Sequence, residues 1–170
     1  MRPRIAVITL AVPLLMLVTG PSPSADLPQY NPYSGTFDGY WSLSGDIHIL
    51  ERDREIVAAA GRLTGQAVIQ TNQGPVPSFD TECIVFSEKA RGGTGKCVWT
   101  ATSGDEVYVD ISSDGPAGLG RARGVIQGGT GRFEEIKGSF QFDWNYSVSG
   151  GADATLTGQT LQMRGHYTLK

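Results

Sequence analysis

From Gly39 onward, apolar residues recur at every second position and almost never at helical spacing, with a turn signal roughly every ten residues. A chain patterned this way buries one face of each strand, which predicts an all-β sandwich or barrel. Glycine supplies much of the punctuation. It accounts for 23 of 170 residues, about twice the usual share of roughly 7%, and is neither periodic nor gathered in one block. The length points to a single domain.

The clearest strand is Ile136 to Trp144, where Ile136, Gly138, Phe140, Phe142 and Trp144 alternate with Lys137, Ser139, Gln141 and Asp143. Tyr40 to Leu50 sets Trp41, Leu43, Ile47 and Ile49 against Ser42, Ser44, Asp46 and His48. Asp105 to Ser112 sets Val107, Val109 and Ile111 against Glu106, Tyr108 and Asp110. Leu161 to Leu169 places Leu161, Met163, Gly165, Tyr167 and Leu169 on one side, and Leu119 to Gln127 places Gly120, Ala122, Gly124 and Ile126 opposite Arg121 and Arg123. Ile56 to Ala60, Cys83 to Phe86 and Cys97 to Ala101 are apolar on consecutive positions, so both faces of these strands are expected to be covered. A second subunit would do this, and the stretch is the candidate oligomer interface. Eight strands in about 130 residues match a small closed barrel, whose interior holds side chains or one small ligand.

Met1 to Ala25 has the three parts of a secretory signal: Arg2 and Arg4, an apolar run from Ile5 to Val18, and the small residues Gly20, Ser22, Ser24 and Ala25. Cleavage is expected near Ala25. The run falls short of the roughly 20 residues that span a bilayer, so no retained membrane anchor is expected. Residues 26–38 contain Pro28, Pro32, Tyr30, Tyr33 and Phe37 and read as an N-terminal arm, leaving 39–170 as the β domain. Without Arg2 and Arg4 the 14 basic residues fall to 12 against 17 acidic ones, a formal charge of −5. No basic cluster stands out, which disfavours nucleic acid and anionic membranes as partners. In an exported chain the single pair Cys83 and Cys97 reads as a disulfide, worth about 3 kcal/mol if unstrained.

Gly128 to Phe140 reads GGTGRFEEIKGSF and follows the strand RARGVIQ, Arg121 to Gln127. Gly128, Gly129 and Gly131 permit a tight reversal and Phe133 can plug a barrel end. The segment resembles the GGTGxFxxxxG hairpin of the allene oxide cyclase and dirigent proteins. That resemblance implies an eight-stranded antiparallel, calycin-like closed barrel. It also implies an apolar interior that works without a cofactor, and assembly as a trimer.

No strong catalytic or metal signature accompanies this pattern. His48 and His166 lie on polar strand faces, with Asp46 and Arg164 as neighbours, and no GxSxG-type nucleophile completes a triad. Two histidines are too few for a histidine-built metal centre, so no metal is expected. Asp110 to Gly115 echoes half a calcium loop but has Arg121 where the bidentate glutamate belongs, and it reads as a β-turn. Glu106, Tyr108, Asp110, Arg121 and Arg123 read as a wet face carrying cross-strand ion pairs; turned inward, they would suit a cyclase. The expected function is binding of a small hydrophobic molecule in the barrel. The candidate lining is Trp41, Leu43, Val109, Ala122, Phe140, Phe142, Trp144 and Tyr167, with small neighbours such as Gly120, Gly124 and Gly138 leaving space. The alternatives are a cofactor-free cyclase or isomerase, and a structural or protein-binding exported domain.

Overall fold

The structure, a computed structural model, describes residues 34–76, 78–114 and 120–170. The expected signal segment, residues 26–33 of the arm and Gly115 of the DISSDG turn lie outside the described residues. The described chain is all β apart from one 3-10 turn at Gly131–Phe133. The strands are β1 (Ser34–Arg52), β2 (Glu55–Thr71), β3 (Gly74–Pro75), β4 (Phe79–Glu88), β5 (Gly92–Ala101), β6 (Glu106–Ser113), β7 (Gly120–Gly129), β8 (Lys137–Gly150) and β9 (Asp153–Thr168). Each of the eight strands read from the sequence has its counterpart, and β3 is a two-residue addition to the end of β2.

All pairings are antiparallel, in the order β1-β9-β8-β7-β6-β5-β4-β2, and β2 pairs again with β1. The eight long strands therefore form a ring in which every strand has two partners and no long edge is left open. Alternation decides what faces inward. Phe37, Trp41, Leu43 and Ile47 of β1, Val107 and Val109 of β6, and Phe140 and Phe142 of β8 are all buried, while their neighbours in sequence face out.

One expectation changes. The arm was expected to run to Asp38, but β1 starts at Ser34, and Phe37 is a core residue whose ring lies 5.9 Å from that of Phe140. Its inward neighbours are Gly35 and Gly39, which hide the alternation in a hydrophobicity pattern. Among the described residues, no segment lies over the outer face of the doubly apolar stretch on β4. On β4, Cys83 and Val85 turn inward, whereas Ile84 and Phe86 turn outward and are 59% and 48% exposed.

The core is aromatic and directional. Trp41, wholly buried, lies 5.3 Å from Trp99, 5.8 Å from Phe142 and 6.4 Å from Trp144, in edge-to-face arrangements. Trp99 continues the series to Phe140 and Phe79, and Phe79 to Phe133. Glycines opposite these rings make the packing possible: a Cβ on Gly124 would sit 2.1 Å from Phe140, and one on Gly158 would sit 2.3 Å from Trp144.

Around Trp41 the ladder is irregular. Gly39 opposes Met163 and Ser42 opposes Gln159, so β9 carries one more residue than β1 over this interval. Against β8, Asp143 opposes Gln162 and Trp144 opposes Thr160, which makes Leu161 the extra residue. A bulge leaves backbone groups without ladder partners, and here a side chain takes over: the Trp41 amide donates to Thr160 Oγ1 at 2.8 Å, in the buried core. The Trp41 indole N–H donates to Thr81 Oγ1 at 3.0 Å, also buried.

The cysteines form a disulfide between directly opposed residues of β4 and β5, with Cα atoms 4.1 Å apart and both side chains buried. The GGTGRF segment closes one end of the ring. Gly131 adopts φ 54°, and a side chain there would run into Asp105 as well as strain the backbone. Thr130 locks the turn to β6, its amide donating to Glu106 O and its Oγ1 accepting from Glu106 N, each at 2.9 Å. Phe133 then folds over the end of the core, 5.7 Å from Phe79, as the sequence implied.

Thr160→Val is isosteric and removes the acceptor from the Trp41 amide, so it is expected to cost about 1–3 kcal/mol, the penalty of an unpaired buried donor. Thr160→Ser should recover most of it. Denaturant unfolding of the two variants checks this; equal stability of Thr160→Val and wild type would contradict it.

Candidate functional site

Two cavities lie at opposite ends of the ring, separated by the aromatic packing around Trp41 and Trp99. The first opens at the end of the ring that carries the β1–β2, β4–β5 and β8–β9 hairpins and has a volume of about 170 Å³. Its floor is Trp41, Leu43 and Phe142, and its wall includes Ile47, Leu63, Ala122, Trp144 and Leu156. Ile56, Ala59, Val85, Tyr146 and Val148 form the upper part, with Ser87, Thr94 and Ser112 at the level of the hairpins. No described lining residue carries a charge. The second cavity, about 260 Å³, lies at the end closed by the β7–β8 turn, among Phe37, Phe79, Trp99, Ile126, Phe133 and Tyr167.

Of the eight lining residues read from the sequence, five meet at the first cavity: Trp41, Leu43, Ala122, Phe142 and Trp144. Tyr167 faces the second. Phe140 and Val109 line neither, because both are buried in the packed middle of the ring. The expected space beside small residues is only partly open. Ala122 borders the first cavity, but the room beside Gly124 is filled by the Phe140 ring, and Gly138 lies against the His166 backbone.

The polar candidates face away from both cavities. His48 Nδ1 lies 2.6 Å from Asp153 Oδ1 across the β1–β9 pair, with both side chains more than 80% exposed, so Asp153 rather than Asp46 is its partner. His166 is exposed. Tyr108 faces outward and donates to Glu106 Oε2 at 3.0 Å, a bond that raises the phenol above its ordinary range. Asp110 accepts from Lys96 at 2.6 Å and from Gln127 at 3.0 Å. Arg121 and Arg123 are exposed and lie opposite Asp143 and Gln141 on β8, with Arg123 also opposite Ser112, so the expected pairing of these arginines with Glu106 and Asp110 does not form. The inward arrangement that a cyclase would use is therefore overturned for this face. Other outer-face pairs behave as solvated ion pairs: Arg62 contacts Glu82 through two bonds, at 2.7 and 3.0 Å, which holds the Glu82 carboxyl below its usual range.

Tyr146 is the only titratable side chain among the described lining residues of the first cavity. Burial raises its pKa above the ordinary tyrosine value. At neutral pH it is a neutral phenol, able to form hydrogen bonds but not to act as a base.

Fold and cavities together define an all-β ring protein with an apolar chamber at each end. No family profile and no curated protein matches the chain. Among solved structures it is similar to the pterocarpan synthase dirigent protein GePTS1, at 10% identity over 78% of this chain and 87% of that one, with a TM-score of 0.39. It is also similar to the pterocarpan synthase dirigent protein PsPTS1, at 13% identity over 77% and 96% of the two chains, with a TM-score of 0.34. A likeness at this level does not transfer an activity.

With no described lining residue of the first cavity that titrates near neutrality, occupancy by an uncharged ligand should be flat from about pH 6 to 9. Because the Tyr146 pKa is raised, the neutral phenol prevails up to the ordinary tyrosine range, and occupancy falls only above it, as the phenolate forms. Tyr146→Phe should abolish that fall. Ligand titrations monitored by NMR across this range test the point, and a transition near pH 6 or 7 would contradict it.

Proposed function

We propose that this chain is an exported protein whose ring closes as a calycin-like β-barrel and takes up a small hydrophobic molecule in the first cavity. The observation that carries the reading is a chamber floored by Trp41 and Phe142 and free of charge among its described lining residues. Size sets the ligand class. A cavity of about 150 Å³ with an apolar lining stays dry and binds benzene. At about 170 Å³ the chamber suits one six-membered ring, with substituents reaching the mouth past Tyr146. Export is supported by the leader-like sequence of Met1 to Ala25 and by the buried disulfide, which requires an oxidising compartment. A base-catalysed cyclase needs a proton acceptor at the substrate, a role that the protonated Tyr146 phenol does not fill. The proposed role is binding without chemistry.

Ala59 is half-buried, turns inward on β2 and borders this chamber, so Ala59→Phe fills it from the mouth while leaving the Trp41 packing intact. Toluene is expected to shift the indole signals of Trp41 and Trp144 in the wild type. In Ala59→Phe its affinity should fall by at least roughly tenfold, the equivalent of about 1.4 kcal/mol. Unchanged affinity in the variant, or no uptake of toluene by the wild type, would overturn the reading.

Self-association is a second part of the proposal, and the outward Ile84 of β4, with Phe86 beside it at the rim of the first cavity, favours it. Apolar side chains this exposed on one strand face are what a copy of the same chain would cover. The oxidised protein is expected to sediment as an oligomer, a trimer by the resemblance noted above, and Ile84→Lys should yield monomers. A wild-type protein that stays monomeric at micromolar concentration excludes it.

A further inference from the structure

The second cavity has chemistry that the first lacks. Its lining is apolar at Phe37, Phe79 and Ile126, but it also includes Arg132. The Arg132 guanidinium lies 4.9 Å from the centroid of the Phe133 ring and contacts Asp105 Oδ2 through Nε at 3.2 Å. That is its one carboxylate contact among the described residues, which leaves the two terminal nitrogens of the fork available. Trp99, 3% exposed, closes the inner wall, and its indole N–H has no hydrogen-bond partner among the described residues. The volume, about 260 Å³, exceeds by more than half the roughly 150 Å³ that holds benzene.

We propose that this end of the ring is a separate ligand site for an apolar molecule of two fused rings' size that carries one oxygen acceptor, with Arg132 as the group that recognises the oxygen. The apolar body fills the space beneath Phe133, and the acceptor, a carboxylate or a carbonyl, meets the free edge of the guanidinium. Stacking on Phe133 and the ion pair with Asp105 orient that edge before the ligand arrives, which lowers the ordering cost of binding. The aromatic packing between the cavities makes the two sites independent, so this proposal stands or falls apart from the first.

The three tryptophans report on the two ends separately, since Trp41 and Trp144 line the first cavity and Trp99 the second. The experiment uses the oxidised protein carrying Ala59→Phe, which blocks the first cavity, and follows the indole N–H signals by NMR during titration with naphthalene, acetylnaphthalene and naphthoate. The Trp99 signal is expected to shift with the oxygen-bearing probes. Adding Arg132→Gln should weaken those probes by about tenfold, the worth of a hydrogen bond to a charged group, and leave naphthalene unchanged. A loss confined to naphthoate identifies the acceptor as an acid; a loss confined to acetylnaphthalene identifies it as a carbonyl. No shift of Trp99 with any probe, equal shifts at all three indoles, or equal affinity with and without Arg132 would overturn the proposal. Val76→Trp, which fills the same cavity from the β3 side, serves as a second variant and should abolish the Trp99 response if Arg132→Gln proves unstable.

Discussion

The structure depends on how Trp41 is held. A tryptophan at the centre of a small ring has one indole N–H and one backbone N–H to satisfy away from water, and an unpaired buried donor costs on the order of 1–3 kcal/mol. Two threonines meet that demand from opposite sides of the ring, Thr81 on β4 for the indole and Thr160 on β9 for the amide. The second bond exists because β9 carries an extra residue at Leu161, which breaks the ladder beside Trp41 and turns Thr160 inward. The bulge, the threonine and the tryptophan are thus one device, and it sets the register of β9 against both its neighbours.

Once Trp41 is fixed, the interior divides. Trp99, Phe142 and Trp144 pack around it, Phe140 occupies the space that Gly124 and Gly165 leave, and the middle of the ring becomes solid. A ring of eight strands has little interior to spare. Filling its waist with large rings pushes whatever space remains to the two ends, where the hairpins on one side and the glycine turn with Phe133 on the other decide its shape. Glycine has opposite uses along this interior: at Gly124 and Gly158 it admits an aromatic ring, and at Gly131 it admits a backbone conformation and a close approach to Asp105.

The period-two pattern places five of the eight long strands and turns Trp41, Leu43, Val107, Val109, Phe140 and Phe142 inward, and runs of consecutive apolar residues mark the other three, β2, β4 and β5. It was weakest where the inward positions are glycine or threonine. On β2 the inward series Gly61, Leu63, Gly65, Ala67 and Ile69 has Val68 on the opposite face, so the apolar run that marks this strand stops at Ala60 and leaves Leu63 out of the candidate lining. On β9 the series Ala154, Leu156, Gly158 and Thr160 lies between Thr155, Thr157 and Gln159, and the alternation is legible only from Leu161 onward. Those small and polar residues are inward because of what stands opposite them, the Trp144 ring and the Trp41 amide, and a partner across a ring is not written in local periodicity. The same reason separates Phe140 and Val109 from the cavity residues. All eight candidates share the core face, but their height along the ring axis follows from strand register, which bulges at Leu161 and beside Val109 shift by a residue.

The distribution of charge completes the argument from packing to function. The ion pairs recorded for this protein, Arg62 with Glu82, Lys96 with Asp110, Arg164 with Asp38 and His48 with Asp153 among them, lie on the outer face or at the turns, with exposed or half-exposed side chains. Charges so placed contribute little to stability. The first cavity is therefore a low-dielectric space whose attraction for a ligand is the removal of apolar surface from water, which scales with area and is indifferent to pH. Selectivity in such a chamber comes from shape and from the cost of burying any polar atom the ligand brings, because no described lining residue carries a charge to compensate for it. At the other end Arg132 reverses that rule: there an oxygen on the ligand is matched rather than penalised, and the two ends of one ring sort molecules by the presence or absence of an acceptor.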